Sequence, residues 1–304
     1  MKPVSDPAPV VLFAYRRPHE LRNTIAALQA NHLARQSELH VFVDGPKHPF
    51  DIPKVTEVQR VVAGITGFRK VFCNFAERNK GLAASIIGGV SQILRQHDRV
   101  IVLEDDILTA PNFLNFINQG LSQYERHPRV FSIGGYTFPF GRPANYAHDV
   151  YFYGRTCAWG WGIWADRWSR TDWSVADFDS FMADPVRRQS FNYYGSDRVR
   201  MLRRTLEGEL DTWDIRLCYE QFKRGQLTVY PVQSKTENIG FQAEGSSHTN
   251  VFNRYRTVLD PGVQHSFVMP EQVAEHPHYT RLFRQRFSLG TRLVNRLKTV
   301  AGLR

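Results

Sequence analysis

One stretch limits the possible folds more than any other: Arg99-Val-Ile-Val-Leu-Glu104-Asp105-Asp106. Four apolar residues, three of them β-branched, predict a buried strand. Three carboxylates follow at once. Charges packed this closely repel, and a divalent cation with oxygen ligands, Mg²⁺ or Mn²⁺, relieves that repulsion. Such a cation commonly holds a diphosphate. The same residues also read as a strand end capped by solvated acids, so the neighbouring segments have to decide.

They repeat one pattern. Pro9 to Tyr15 predicts a strand, followed by Arg16, Arg17 and Pro18 and then a helix over His19–Asn31, with Leu21, Ile25 and Leu28 on one face. Leu39–Val43 predicts a second strand, ended by Asp44-Gly45-Pro46, and Thr56–Ile65 a second helix. Lys70–Phe75 predicts a third strand, ended by a turn that holds Asn79 and Gly81, and Leu82–Gln96 a third helix. After the acidic triplet come a helix over Pro111–Tyr124, with Asn112 or Thr109 as its N-cap, and a strand over Arg129–Ile133. Strands alternating with helices at this spacing predict a mostly parallel, doubly wound α/β sheet. Ligands of such sheets bind beyond the carboxyl ends of the strands. The polar clusters fall there each time, and four clusters on one sheet edge are harder to dismiss than one triplet. No G-x-G-x-x-G follows the first strand and no P-loop is present, which excludes the common dinucleotide and nucleotide-triphosphate motifs.

Beyond Tyr151 the character changes. Trp159, Trp161, Trp164 and Trp168 fall within ten residues. Trp164 and Trp168, four apart, would share a helix face as core. Trp159 and Trp161 alternate with glycines, a poor helix context, and either could line a cleft, where indole faces suit the C–H faces of a sugar. Leu210–Gly225 predicts a helix closed by glycine, with Asp211 and Asp214 in its first turn. Those acids either complement the helix dipole or supply a general base. Glu237–Thr249 is a Gly/Ser loop of the kind that closes over phosphates; Ser247 and His248 lie in it, and His248 reads as a metal ligand, a phosphate donor or neither.

The 304-residue chain carries a formal net charge of +10, and its cations are concentrated at one end. From Tyr279 to Arg304 there are seven cations and no acid, which leaves about +3 for the remainder. A basic core built for nucleic acid is therefore not indicated. The tail predicts a helix from about Phe283, either docked on the domain with a solvated basic face or lying on an anionic membrane. Three cysteines, far apart and odd in number, form neither a disulfide framework nor a metal-spaced pair and predict a reducing compartment. The apolar run Val10–Tyr15 is too short for a signal peptide or a transmembrane helix.

The run from Val100 through Glu104-Asp105-Asp106 to Ala110-Pro111 and Phe116 resembles the metal-binding segment of the N-acetylglucosaminyltransferase I type of glycosyltransferase. Trp159-Gly-Trp161 and Asn238-Ile-Gly-Phe241 are similar to segments of bacterial sugar transferases that share the GT-A fold. The resemblance spans roughly residues 9–250. It implies that Arg17 and Asp44 hold the nucleotide, with Asn79 near the ribose or diphosphate. It implies that Asp106 ligates Mn²⁺ or Mg²⁺ directly, while Glu104 and Asp105 contact donor sugar, ribose or metal-bound water. The family's catalytic aspartate follows a tryptophan at a helix start, and Trp213-Asp214 matches it. Ile215 stands where the eukaryotic enzyme has a second acid, which keeps Asp211 as a rival. The eukaryotic acceptor loops have no match here.

The expected protein is thus a metal-dependent, inverting GT-A glycosyltransferase. It would use a nucleotide sugar, UDP-linked by resemblance, and a glycan or lipid-linked glycan acceptor. It would work in the cytoplasm, its tail either docked on the domain or holding it at the membrane face. Residues 1–135 would form the nucleotide-sugar half, 136–265 the acceptor-side and catalytic half, and 266–304 the basic tail. Trp159, Trp161 and Trp213 would contact sugar, and Ser247 and His248 would close over the donor. A sugar-nucleotide pyrophosphorylase would share the sheet and metal, but it wants a Gly-rich loop where Tyr15-Arg16-Arg17-Pro18 stands. A non-catalytic carbohydrate-binding protein would leave the triplet without a role.

Overall fold

The computed structural model describes residues 6–242 and 252–303, so the expectations for Ser247 and His248 lie outside the described residues. In chain order the first half gives β1 (Val10–Ala14), α1 (Pro18–Gln29), β2 (Glu38–Val43), α2 (Ile52–Ala63), β3 (Lys70–Phe75), α3 (Leu82–Leu94), β4 (Arg99–Glu104), β5 (Ile107–Thr109), α4 (Phe113–Gln123) and β6 (Val130–Gly134). The second half gives β7 (Val150–Tyr153), β8 (Trp161–Trp164), α5 (Ala165–Trp168), α6 (Phe178–Ala183), α7 (Pro185–Asn192), α8 (Arg198–Leu206), α9 (Asp214–Lys223), β9 (Leu227–Pro231), β10 (Thr236–Asn238), α10 (Pro277–Arg286) and α11 (Leu289–Val300).

Eight strands form one sheet in the order β3-β2-β1-β4-β8-β6-β9-β7. β7 and β8 run antiparallel to their neighbours and the other pairings are parallel, which gives the mostly parallel α/β sheet expected. The alternation along each strand splits the core in two. Val10, Leu12, Ile101 and Leu103 face α1, α2 and α4, whereas Val11, Phe13, Val100 and Val102 face α3 and α9. Helices therefore cover both faces, and the strands are buried on both sides, which explains their unbroken apolar runs. The strand order reverses between β1 and β4: β2 and β3 build outward on one side of β1, and β4 returns to the other. That switch leaves a crevice beyond the carboxyl ends of β1 and β4.

Three expectations need correction. Trp164 ends a strand, β8, and Trp168 lies in the short helix beyond it. Trp164 and Trp168 consequently do not share a face: Trp164 packs with the α4 side of the sheet and Trp168 with the α3 side. The Leu210–Gly225 helix starts only at Asp214, so Asp211 precedes it. The tail is two helices, broken where the Ser288 side chain accepts from the Thr291 N–H and caps α11. Asn112 does stand at the N-cap position of α4, but its side chain donates to Asp260 and the Gln264 carbonyl, and Thr109 belongs to β5. Among the described residues, no helix is long and apolar enough to cross a membrane.

Candidate active site

A cleft of about 1450 Å³ opens beyond the carboxyl ends of the parallel strands, over the switch between β1 and β4. Arg17, Asp44, Asn79, Glu104, Asp105, Asp106, Trp159, Trp213 and Asp214 all line it. Residues up to two hundred positions apart are brought together because each follows, or closely follows, the end of a strand or the start of a helix.

Asp105 and Asp106 are buried and Glu104 half-buried, and the triplet is short of positive charge. Arg17 is its ion-pair partner: Nε lies 3.3 Å from Asp105 Oδ1 and Nη1 donates to Asp106 Oδ2 at 2.6 Å. Asp105 also accepts from the Tyr15 N–H at 3.2 Å, which ties the turn after β4 to the end of β1. One guanidinium does not balance three carboxylates. Burial, then the charges of Asp106 and Asp105, push Glu104 up to about 8; Asp214 adds to that push from across the cleft. Burial pushes Asp105 up to about 7 against the pull of Arg17. Burial also works against the charge on Arg17, but the carboxylates around it override that and hold it firmly protonated.

The segment after β10 closes over Asp106. β10 pairs with β5 antiparallel, and the Ile239 N–H donates to the Asp106 carbonyl at 2.9 Å. Gly240 then sits directly on the Asp106 carboxylate, where a Cβ would collide with Oδ2 and crowd the Arg17 guanidinium. Residues 243–251, which hold Ser247 and His248, continue from this point and lie outside the described residues.

A divalent cation fits this donor set. Mg²⁺ and Mn²⁺ are typically held by one or two carboxylates, with substrate phosphates and water completing the shell. The triplet offers that number of oxygens, and a cation there would relieve the mutual repulsion that helps raise Glu104 and Asp105. It is not a closed protein cage: among the described residues, the only cluster with three ligand atoms within 4.8 Å of one another is Glu38, His40 and His97. That cluster lies at the opposite edge of the sheet, at the start of β2 and just before β4.

The two aspartates near α9 separate cleanly. Asp211 accepts the Leu82 N–H at 2.8 Å and the Ala83 N–H at 3.1 Å, so it caps α3, a helix distant in sequence. Gly81 passes under it at φ +84°, where a side chain would meet the Asp211 carboxylate. Asp214 is the first residue of α9, and its recorded partner is the Thr212 hydroxyl, which donates to Oδ1. Asp44 resembles Asp211: its carboxylate accepts from the N–H groups of Gly45, Lys80 and Gly81 and from the Asn79 amide, at 2.9–3.2 Å. It clamps the turn after β3 to the end of β2.

The tryptophans separate as well. Trp161 is 1% exposed and does not line the cleft; it stacks between Trp213 and Trp168, with ring centroids 4.9 and 5.9 Å away. The expected sugar contact at Trp161 is therefore corrected to a core position, because β8 turns its side chain into the core on the α3 and α9 face of the sheet. Trp213 reaches the cleft with what that stacking leaves free. Trp159 is half-buried at the cleft wall, edge-on to Tyr136, Phe241 and Tyr255. Sequence reasoning missed the far end of the cleft, where Phe138, Phe283 and Phe287 form an aromatic wall and Arg155 stacks 4.1 Å from the Phe287 ring while donating to Asp197. The available signal was a strand running into Gly154-Arg155, the same strand-then-cation pattern as at Arg17.

No family model matches the sequence, and no curated protein matches it. Among solved structures, the chain is similar to several sugar transferases at low identity. The mannosyltransferase PcManGT from Pyrobaculum calidifontis, in complex with GDP-Man and Mn²⁺, is 14% identical over 44% of this chain and 36% of its own, with a TM-score of 0.30. The galactosyltransferase LgtC, in complex with donor and acceptor sugar analogs, is 11% identical over 73% and 72%, with a TM-score of 0.39. TarS of S. aureus is 9% identical over 75% of this chain and 36% of its own, with a TM-score of 0.40. This chain therefore spans only about a third of the length of PcManGT and of TarS. Likenesses at TM-scores this low carry no argument about this chain.

Proposed function

We propose that the chain is a divalent-metal-dependent glycosyltransferase of the GT-A type, which moves a sugar from a nucleotide sugar to a hydroxyl of a glycan or lipid-linked glycan. The observation that carries this reading is the pairing across one cleft of an under-neutralised acidic triplet with a lightly partnered aspartate, Asp214. The first suits a diphosphate with its cation. The second suits an incoming hydroxyl.

In this reading Asp106 would hold the cation, which when bound would supply positive charge to the leaving diphosphate. Arg17, freed from part of its load of carboxylates, faces the same phosphates. Asn79 and the turn fixed by Asp44 form the nucleotide wall, so Asp44 acts by positioning. Glu104 and Asp105 orient the donor sugar or metal-bound water. The acceptor oxygen attacks C1 while the C1–O bond to the diphosphate breaks and the nucleoside diphosphate departs with the bonding pair. Asp214 takes the acceptor proton as general base. A single displacement of this kind inverts the anomeric centre. Trp159 and the aromatic far wall offer faces for acceptor sugars. Three free cysteines suit a reducing compartment, and the cytoplasm is the inferred place of action.

The test is release of nucleoside diphosphate from a panel of nucleotide sugars, UDP-sugars first, with and without Mn²⁺. Transferases commonly hydrolyse their donors slowly when no acceptor is present. Asp106→Ala should abolish metal-dependent UDP binding and release while the melting temperature is kept. Equal UDP and Mn²⁺ binding by that variant would remove the metal assignment. Release that depends on pyrophosphate would favour a pyrophosphorylase, and sugar binding without release a carbohydrate-binding protein.

A further inference from the structure

The two tail helices are built in opposite senses. α10 buries Tyr279 and Phe283 under the aromatic cluster of β7 and β9, and Phe287 follows them into it. None of the twelve residues of α11 is buried. Its half-buried arc is polar: Thr291, Arg292, Asn295, Lys298 and Thr299. On that side Thr299 accepts from the Phe252 N–H at 3.1 Å and Arg292 donates to the Ser196 hydroxyl at 3.2 Å. The opposite arc holds Leu289, Leu293, Val294, Leu297 and Val300, which are 50–80% exposed. A surface helix of a globular domain normally turns its apolar stripe inward. Here, among the described residues, the polar arc is inward and the apolar arc outward.

Charge identifies what covers the outer arc. Arg292 and Arg296 border it on one side and Lys298 on the other, and residues 279–304 hold no acid. Arg292 also donates to Ser196 and Lys298 also lies 4.5 Å over the Phe252 ring, whereas Arg296 is exposed beside the apolar row. A second copy of this chain would set these cations against their equals, and an apolar protein groove would leave Arg296 without a role. We propose that α11 lies in the interface of an anionic lipid bilayer, its leucine and valine row in the acyl boundary and its flanking cations among the lipid phosphates. Phe287, immediately before α11, lines the cleft, so docking brings the aromatic end of the cleft to the bilayer. Only the consequence that a lipid-linked acceptor enters there rests on the transferase reading.

The experiment is flotation of the whole chain with vesicles of phosphatidylcholine alone and of phosphatidylcholine mixed with phosphatidylglycerol, at low and high salt. Binding is expected to the anionic vesicles and to weaken with salt. Leu293→Gln with Leu297→Gln should abolish it. Replacing Arg292, Arg296 and Lys298 by glutamine should weaken it by on the order of a hundredfold. Both variants should keep UDP binding, since α11 does not line the cleft, and the leucine variant should keep the parent's melting temperature, since both leucines are well exposed. No flotation, or equal binding to neutral vesicles, overturns the proposal. So does a parent that is dimeric in solution and becomes monomeric in the leucine variant, which would assign the arc to a second copy. Flotation by a chain that never releases a nucleoside diphosphate would sink the transferase reading and leave the docking intact.

Discussion

Replacing Asp197 by asparagine tests how the far end of the cleft is held. Asp197 precedes α8, and Arg155 donates to its two oxygens at 3.0 and 3.1 Å. Burial alone would lift its carboxyl, but the Arg155 charge and bonds more than offset that and hold it down at about 2, against an ordinary 3.8. The difference is worth about 2 kcal/mol at neutral pH. The folded-state value is the lower one, so this stabilisation is fully present above about pH 4 and is lost as pH falls from there toward 2. Asp197→Asn removes it at every pH and leaves the Arg155 guanidinium buried without its charge partner; breaking such pairs costs about 3–5 kcal/mol. A fall of about 2–4 kcal/mol at pH 7 is expected, read from urea unfolding followed by tryptophan fluorescence. Repeated at successively lower pH, the gap between parent and variant should close. A gap that stays constant down to the acid limit would refute the electrostatic account and assign the loss to packing.

The remaining predictions concern the cleft and one helix. Asp214→Asn should keep UDP affinity and lower turnover by ~10²-fold or more; unchanged turnover would move the base elsewhere. Asp211→Ala should cost about 1 kcal/mol of stability as a lost cap, seen as a lower urea midpoint. Gly240→Ala should displace Asp106 and Arg17, and so lose metal-dependent UDP binding in calorimetry while the far-ultraviolet spectrum stays native. In α3, Gly88→Ala meets nothing within 4 Å and should stabilise by up to ~1 kcal/mol, whereas Gly89→Ala would bring a Cβ to 2.6 Å from the Phe13 ring and should destabilise by about 1–3 kcal/mol. Melting curves of the two variants should move in opposite directions.

The first half of the fold was legible because its strands are buried on both faces and its helices keep a regular apolar stripe. The register of apolar runs and polar ends places β1 to β4 and α1 to α4 within a few residues, and the cleft follows from where the polar ends converge. The second half hides its architecture. β8 carries a Trp-Gly-Ile-Trp sequence whose glycine is dictated by Ile117 and Leu121 of α4, which occupy the space of a side chain there. That constraint belongs to a partner helix more than forty residues upstream and leaves no periodic trace. The tail misled for a related reason. Phe283 and Phe287 continue the spacing of Val294 and Leu297, but Ser288 ends one helix and caps the next, so a single stripe in sequence becomes two faces in space. One faces the core and the other faces out.

The carboxylates show where sequence reasoning stops and geometry begins. Asp44, Asp211 and Asp214 are alike in sequence: each is an acid at the boundary of an element, next to glycine, threonine or tryptophan. Pattern alone does not tell a scaffold acid from one that meets a ligand. In the fold, Asp44 accepts from three backbone N–H groups and an amide, and Asp211 from two N–H groups at the start of α3. Acceptors met in this way hold the scaffold and have little left for a substrate. Glu104 and Asp106 are met by one shared cation between the whole triplet, and Asp214 by one hydroxyl. A buried carboxylate without enough donors is costly unless something else supplies them. On the transferase reading proposed above, ligands would supply those missing partners: a divalent cation at Asp106, and the proton of an acceptor hydroxyl at Asp214.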